Sequence, residues 1–194
     1  MGGIHSLFSL PALRVLTVVY FSPDATLGTD ADMLAAATAW RGLESLSFDF
    51  PFSEAYEVGG FPCLPSLAHF ATHCPRLARL RIPLAFRTPP TEPEAALSTT
   101  GQHNEGTWPE RLPVSSHPLR TLEVQPRRWD GEVEPETVAR RIDELFPNLG
   151  SDELRYRYPI RPRIPPRRYQ GRWDLTIVAW KELRAARGGD GHEA

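Results

Sequence analysis

The sequence predicts an α/β fold: a short, irregular solenoid of about five strand-helix repeats with a parallel concave sheet. Three observations predict it. One apolar spacing recurs four times along the chain. Helix-type apolar spacing fills most of the intervals between these copies. The chain of 194 residues, with 41% hydrophobic and 24% charged residues, suits one domain spanning residues 1–194.

Each copy of the recurring spacing predicts one strand. It places an apolar residue, a second one three residues later and a third two residues beyond that. Because alternate residues of a strand point to one face, the last two positions bury neighbouring side chains on that face. This pattern is typical of leucine-rich repeats, with a looser fifth copy from Phe146 to Tyr156. The four clear sets are Leu13/Leu16/Val18, Leu43/Leu46/Phe48, Leu77/Leu80/Ile82 and Leu119/Leu122/Val124.

Helices are predicted in the intervals because apolar residues recur there at three- and four-residue spacing. Start signals precede the first and third of these helices: Thr29 or Asp30 as an N-cap, and Pro135 as a first helical residue. The three apolar stripes are Met33, Ala36, Ala37 and Trp40; Leu67, Phe70, Ala71 and Cys74; and Val138, Ile142 and Leu145.

A last helix is predicted over residues 173–187, with Trp173, Ile177, Trp180 and Arg184 on one face and Gly188-Gly189 as a stop. The alternation of Trp173, Leu175 and Ile177 also fits a strand, so both interpretations stay open at this point.

Two segments interrupt the pattern. Residues 87–116 are rich in Pro, Thr, Ser and Glu and are predicted to be a mobile insertion, since they bury too little apolar surface to offset their ordering entropy. Residues 155–172 are rich in Arg and Pro and contain no acidic residue. They are predicted to be an extended, solvated connection between the fifth strand and the last helix.

Short phrases in this sequence resemble the leucine-rich-repeat region of fungal F-box proteins. Cys74-Pro75, His117-Pro118 and Phe146-Pro147 each precede a leucine, as in that family, whereas Trp40 is followed by Arg41-Gly42. The resemblance implies recognition of substrates for ubiquitination. We call the three apolar positions of each copy its ladder. The copy that contains the first ladder begins at Leu10, so we expect no F-box in this chain. A ligase adaptor is an expected partner only if an F-box lies upstream. The alternatives are a leucine-rich-repeat scaffold unrelated to ubiquitin transfer, or a truncated, nonfunctional remnant.

The residues between the ladder positions are predicted to point away from the core, across the concave face. Concave faces of solenoids commonly bind other proteins, although a solvated sheet face has the same composition. The predicted partner-binding residues are Thr17, Ser47, Asp49, Arg79, Arg81, Thr121 and Glu123.

Composition disfavours several other classes of function. A net charge of -2 gives no reason to expect nucleic acid, and no apolar run is long enough to span a membrane. Two cysteines and the lack of a secretory signal predict a cytoplasmic or nuclear protein. No catalytic motif is present, so we expect no enzymatic activity and no cofactor. Lys181 is the only lysine beside 21 arginines, which weakens any interpretation of individual arginines.

Three local patterns carry weaker alternatives. His69 and His73 lie near Cys63 and Cys74, but helical geometry puts the histidines opposite the buried stripe, which disfavours a zinc site. Residues 162–167 fit a proline-rich ligand for an SH3-type groove, but such short patterns often arise by chance in Pro/Arg-rich chains, which favours a solvated connecting loop. The N-terminal residues fit a myristoylation pattern with Gly2 as the acceptor, although no second membrane signal accompanies it.

Overall fold

The computed structural model describes residues 5–19, 29–49, 61–86, 117–129, 133–150, 153–156 and 167–189. Within these residues, one parallel sheet of five strands is accompanied by four α-helices, and the strands lie in the sheet in chain order. The strands are β1 (Val15–Val19), β2 (Ser45–Asp49), β3 (Arg79–Phe86), β4 (Thr121–Trp129) and β5 (Leu154–Tyr156). The helices are α1 (Asp30–Ala39), α2 (Pro65–His73), α3 (Pro135–Leu145) and α4 (Arg167–Gly189), preceded by a 3-10 helix (His5–Ser9).

The apolar ladder positions are neighbours across the sheet. Leu46 pairs with Leu16 on one side and with Leu80 on the other, and the same line continues through Leu122 to Leu154. Two positions further along the strands, Val18 pairs with Phe48, and Val124 pairs with both Ile82 and Tyr156. The sequence prediction that these residues form adjacent strands of one parallel sheet is therefore confirmed.

The predicted helices are present, and their starts follow the predicted signals. Thr29 caps α1: its hydroxyl accepts a hydrogen bond from the Asp32 amide at 3.4 Å, and the Asp32 carboxylate accepts one from the Thr29 amide at 2.8 Å. Pro65 and Pro135 are the first residues of α2 and α3, where no amide hydrogen is needed. All three predicted apolar stripes are buried.

One continuous hydrophobic core joins the helices to the inner side of the sheet. The ladder residues of β2, β3 and β4 are fully buried, as are Leu149 and Leu154 of the last copy. The first copy differs, because Leu13, Leu16 and Val18 are only half-buried. The core is therefore most complete at the middle of the sheet and weakest at β1.

Each strand is preceded by a turn, and a side chain in several of these turns hydrogen-bonds to a backbone carbonyl of the turn before it. The Cys74 thiol donates to the Trp40 carbonyl at 3.6 Å, and His117 Nε2 lies 3.0 Å from the Cys74 carbonyl. The Asn148 side-chain amide donates to the His117 carbonyl at 3.3 Å. These contacts repeat the same connection from one strand to the next, which fixes the spacing of the turns.

Burial changes the acid–base behaviour of two residues in these turns. His117 Nδ1 accepts the Leu119 amide at 3.2 Å, which makes Nε2 the protonated nitrogen that donates to Cys74. Burial lowers the pKa of His117, although hydrogen bonds to the Cys74 and Phe70 carbonyls oppose the shift. Burial also raises the pKa of the Cys74 thiol to about 12.

The last helix is confirmed as a helix but begins earlier than predicted. Residues 167–172 were predicted to be an extended connection, and the structure corrects this, because they form the first turns of α4. The prolines stop at Pro166, and arginine favours helix once no proline follows. Arg172 then donates to the Val133 carbonyl at 3.1 Å. Residues 157–166 and the predicted insertion 87–116 lie outside the described residues.

A buried carboxylate anchors α4 against α3. Asp143 of α3 pairs with Arg187 at 2.7 Å and with Arg184 at 3.5 Å. Arg184 also donates to the Pro147 and Leu149 carbonyls and lies over the Trp180 ring. The guanidinium of Arg184 therefore bonds the turn that precedes β5 as well as the neighbouring helix.

Candidate protein-binding face

One face of the sheet packs against the helices, and the opposite face is open to solvent at β1 and β2. In β1 and β2, the alternate residues Val15, Thr17 and Ser45 are more exposed than their neighbours on the ladder. We call the side opposite the ladder the outer face. Its side chains form two rows that cross the strands, Val15–Ser45–Arg79–Thr121–Glu153 and Thr17–Ser47–Arg81–Glu123–Arg155.

The structure brings all seven predicted partner-binding residues onto this outer face. Arg79 and Thr121 are adjacent in the first row. Thr17, Ser47, Arg81 and Glu123 follow one another in the second row, and Asp49 lies two residues further along β2. The alternation of side chains along a strand is sufficient to predict this placement, since the strand register follows from the ladder.

Arg81 is the electrostatic centre of the face. Its guanidinium donates to the Asp49 carboxylate at 2.7 Å, and its Nε lies 3.6 Å from Glu123 Oε2. The Arg81 side chain is only 13% exposed, against 30% for Asp49 and 23% for Glu123. One cation therefore lies between two carboxylates, hydrogen-bonded to Asp49 on β2 and within ion-pair distance of Glu123 on β4.

A second polar cluster at the β5 end was not predicted from the sequence. The Thr121 hydroxyl donates to Glu153 at 3.2 Å, and Glu153 pairs with Arg155 at 3.3 Å. The fifth copy contains extra residues between its apolar positions, which hid the register of Glu153 and Arg155. Pairing of Leu122 with Leu154 is the structural fact that aligns them with the first four copies.

The outer face is open along β1 and β2 and closes towards the ends of β3 and β4. Gln125, two residues beyond Glu123 on β4, is buried, and so are Pro83 and Ala85 on β3. Cys63 forms a parallel bridge to Ala85, and the Ala85 amide donates to the Pro62 carbonyl at 2.9 Å. The usable surface therefore covers β1 and β2 and narrows to the first residues of β3 and β4.

The histidines and cysteines are held in separate places in the helical layer. The Cys74 thiol bonds to backbone carbonyls in the buried turn, whereas His69 and His73 are half-buried on α2. Burial lowers the pKa of His69, an effect that Asp30 partly offsets. Among the described residues, no group of three His, Cys, Asp or Glu side chains converges in a way that would hold a metal ion.

Asp30 is a buried acid that the sequence analysis had named only as a possible helix cap. Its carboxylate accepts the Cys63 amide at 2.7 Å and the Ser66 hydroxyl, which joins the start of α1 to the start of α2. Both of its partners are buried in the described structure. The arrangement is a structural link between helices, because none of its atoms faces an open surface.

The helical side also carries a groove between α3 and α4 with a volume of about 300 Å³. It is shallow and open, and charged side chains flank its apolar floor. The lining residues are Glu136, Arg140, Ala179, Glu182, Leu183 and Ala186. No nucleophile or hydrogen-bonded acid–base pair lies among them, so the groove offers no evident catalytic chemistry.

Comparison with family models, characterised proteins and solved structures yields no match for this chain. A separate finding concerns membranes: none of the helices in the described part combines the length and the apolar character that crossing a bilayer requires. The geometry of the outer face is therefore the main basis for assigning a function.

Proposed function

We propose that this protein is a leucine-rich-repeat-type recognition module that binds a protein partner on the outer face of its sheet. The single observation that carries the proposal is the ordered charge cluster of Asp49, Arg81 and Glu123 on adjacent strands. Fixed charges on a rigid sheet select a partner through charge and shape, with little entropy lost by the side chains on binding.

The alternation of strands and helices supports the repeat assignment. Three equivalent backbone contacts link the four turns that lead into β1 to β4: the Arg14, Glu44 and Ala78 carbonyls each accept two amides from the start of the next strand. Side chains of Cys74, His117 and Asn148 then bond the preceding turn. Stacking of equivalent units is the property that defines a solenoid, and its extended face is the usual binding surface.

A finer proposal concerns the cellular role. The phrases that resemble fungal F-box proteins suggest that this module selects substrates for a ubiquitin ligase in the cytoplasm or nucleus. The partner bound at the outer face would then be the substrate, and an F-box in the same protein would bind the ligase adaptor. No covalent step or cofactor is required of the chain itself.

Affinity purification of the full-length protein tests both the proposed partner binding and the proposed role in a ubiquitin ligase. For the binding role, Arg81→Glu should reduce recovery of a crosslinked partner at least tenfold, because it places three carboxylates together. Arg140→Glu, on the exposed side of α3, is the matched control and should leave recovery unchanged. Equal recovery with wild type and Arg81→Glu would exclude the outer face as the binding surface.

For the ligase role, the ligase adaptor should co-purify with the wild-type protein and with Arg81→Glu alike, since the adaptor does not bind the outer face. Loss of the adaptor together with retention of the crosslinked partner would favour the second candidate, a scaffold without a role in ubiquitin transfer. The outer face supports the scaffold candidate equally, because it indicates that a partner is bound but not whether that partner is then ubiquitinated.

A further inference from the structure

Positive charge is concentrated at the edge of the sheet where β1 to β4 begin, whereas the acidic Glu153 precedes β5. Parallel strands all start at one edge, and the turns that lead into β1–β4 cover residues 10–15, 40–45, 74–79 and 117–121. These turns contain one acidic residue, Glu44, and five arginines. We call the five the basic edge: Arg14, Arg41, Arg76, Arg79 and Arg120.

Overall composition does not account for this concentration. The chain has 22 basic and 24 acidic residues, so an arginine-rich composition alone predicts a balanced edge. All five arginines are exposed. Arg14 pairs with Glu44 at 3.5 Å, whereas none of the other four forms an ion pair with any described residue. Four exposed arginines without an ion pair among the described residues therefore lie in three consecutive turns of this edge.

Backbone hydrogen bonds fix the strand starts that carry Arg79 and Arg120. The Arg79 amide donates to the Glu44 carbonyl at 3.2 Å, and the Arg120 amide donates to the Ala78 carbonyl at 2.9 Å. Neighbouring strands are about 4.8 Å apart, so the four turns span roughly 15 Å. An extended peptide covers that distance in about five residues at 3.3 Å each.

Helix ends offer a simpler explanation for part of this charge. α1, α2 and α3 end at the same edge, and each helix C-terminus carries a partial negative charge that nearby arginine stabilises by about 0.3–1 kcal/mol. That interaction orders no particular side-chain contact. Because it does not occupy the N–H donors of the guanidinium groups, these donors stay available to a ligand.

We propose that the basic edge binds an acidic segment of the partner protein, rich in Asp and Glu and extended across the strand starts. Guanidinium groups match carboxylates with paired hydrogen bonds, which lysine does not provide. Nucleic acid fits less well, because single strands need exposed aromatic rings for stacking and Trp40, the aromatic residue of these turns, is fully buried. The inference rests on the proposed binding function and names the chemistry of the partner.

Fluorescence anisotropy with a short labelled peptide of alternating Asp and Gly tests the inference. The wild-type protein should bind this peptide more tightly than a matched Asn/Gly peptide, and added salt should weaken the binding. The triple variant Arg76→Glu/Arg79→Glu/Arg120→Glu should bind at least tenfold more weakly. Arg140→Glu, an exposed arginine of α3, is the matched control and should bind as wild type does.

Three outcomes would overturn the inference: equal affinity for the Asn/Gly peptide, unchanged affinity of the triple variant, or tighter binding of a single-stranded oligonucleotide. Thermal unfolding separates loss of binding from loss of fold, and the single variant Arg120→Glu replaces the triple variant if the latter unfolds. If Arg81→Glu abolishes capture of the crosslinked partner while the triple variant retains it, the proposed function stands and the acidic ligand is excluded.

Discussion

At the scale of single residues, Arg81 has the clearest energetic role. Its largely buried guanidinium lies between Asp49 and Glu123, so its removal leaves two carboxylates close together without a cation. We expect Arg81→Met to lower the free energy of unfolding by about 2 kcal/mol, measured by urea denaturation.

The exposed neighbour Arg79 provides the control for this measurement. Arg79→Met should change the free energy of unfolding by less than about 0.5 kcal/mol, since it breaks no ion pair among the described residues. Equal effects of the two substitutions would contradict the central role of Arg81. Adding Asp49→Asn to Arg81→Met should recover part of the loss, because it removes one of the two unpaired charges.

His117 makes stability depend on pH. Burial lowers its pKa in the folded protein, so the unfolded chain takes up a proton first as the pH falls below about 6.5. Its contribution is therefore complete above that pH and is lost progressively towards the lowered folded pKa. We expect the urea concentration at the midpoint of unfolding to decrease as the pH is lowered from 7.5 to 5.

His69 has a lowered pKa for the same reason and adds to this loss of stability. His117→Gln should make the midpoint less sensitive to pH, and the further change His69→Gln should reduce the sensitivity again. A midpoint that rises on acidification in the wild type, or an equally steep fall in the double variant, would show that these imidazoles are not responsible.

At the scale of elements, the attachment of α4 depends on Arg184 more than on Arg187. Arg184 contacts Asp143 and two carbonyl groups and has a side chain 19% exposed, whereas Arg187 is 56% exposed. We expect Arg184→Ala to lower the free energy of unfolding by about 2–3 kcal/mol, and Arg187→Ala by less than about 1 kcal/mol.

Hydrogen exchange locates this effect. Amides of α4 should exchange faster in Arg184→Ala than in Arg187→Ala, and those of β2 should change little in either variant. Uniform acceleration over the whole chain in Arg184→Ala would instead mean that α4 is not a separate unit of stability.

The elements also show what the sequence determines locally and what it does not. The stripe ending in Trp40 and the proline at Pro135 define helices by themselves, because spacing and capping act within one segment. The start of α4 at Arg167 was not predicted, since the end of the prolines at Pro166 permits a helix but does not indicate the contact of Arg172 with Val133. Contacts between residues far apart in the sequence determine where such a helix begins.

The same distinction applies to the candidate site. Alternation along the strands is enough to place Thr17, Ser47 and Glu123 on one face. The bridging geometry of Arg81 depends on side-chain rotamers across three strands, which no periodicity encodes. Glu153 was missed because the extra residues before β5 obscure which leucine continues the ladder.

At the scale of the whole molecule, the contribution of each ladder position should follow its burial. Leu80 is fully buried between two strands, whereas its counterpart Leu16 on β1 is half-buried. We expect Leu80→Ala to cost about 3 kcal/mol of unfolding free energy and Leu16→Ala roughly half as much, both measured by urea denaturation. A larger cost at Leu16 would contradict the view that the core is weakest at β1.

Edge strand β1 has a practical consequence for handling the protein. Among the described strands it pairs with β2 alone, and Val15–Val19 contains no charged residue to discourage a further chain from adding to it. Concentrated samples should therefore aggregate slowly through this strand, which light scattering over days of storage would reveal. Introducing Val15→Lys at the exposed rim should prolong the shelf life of the purified protein.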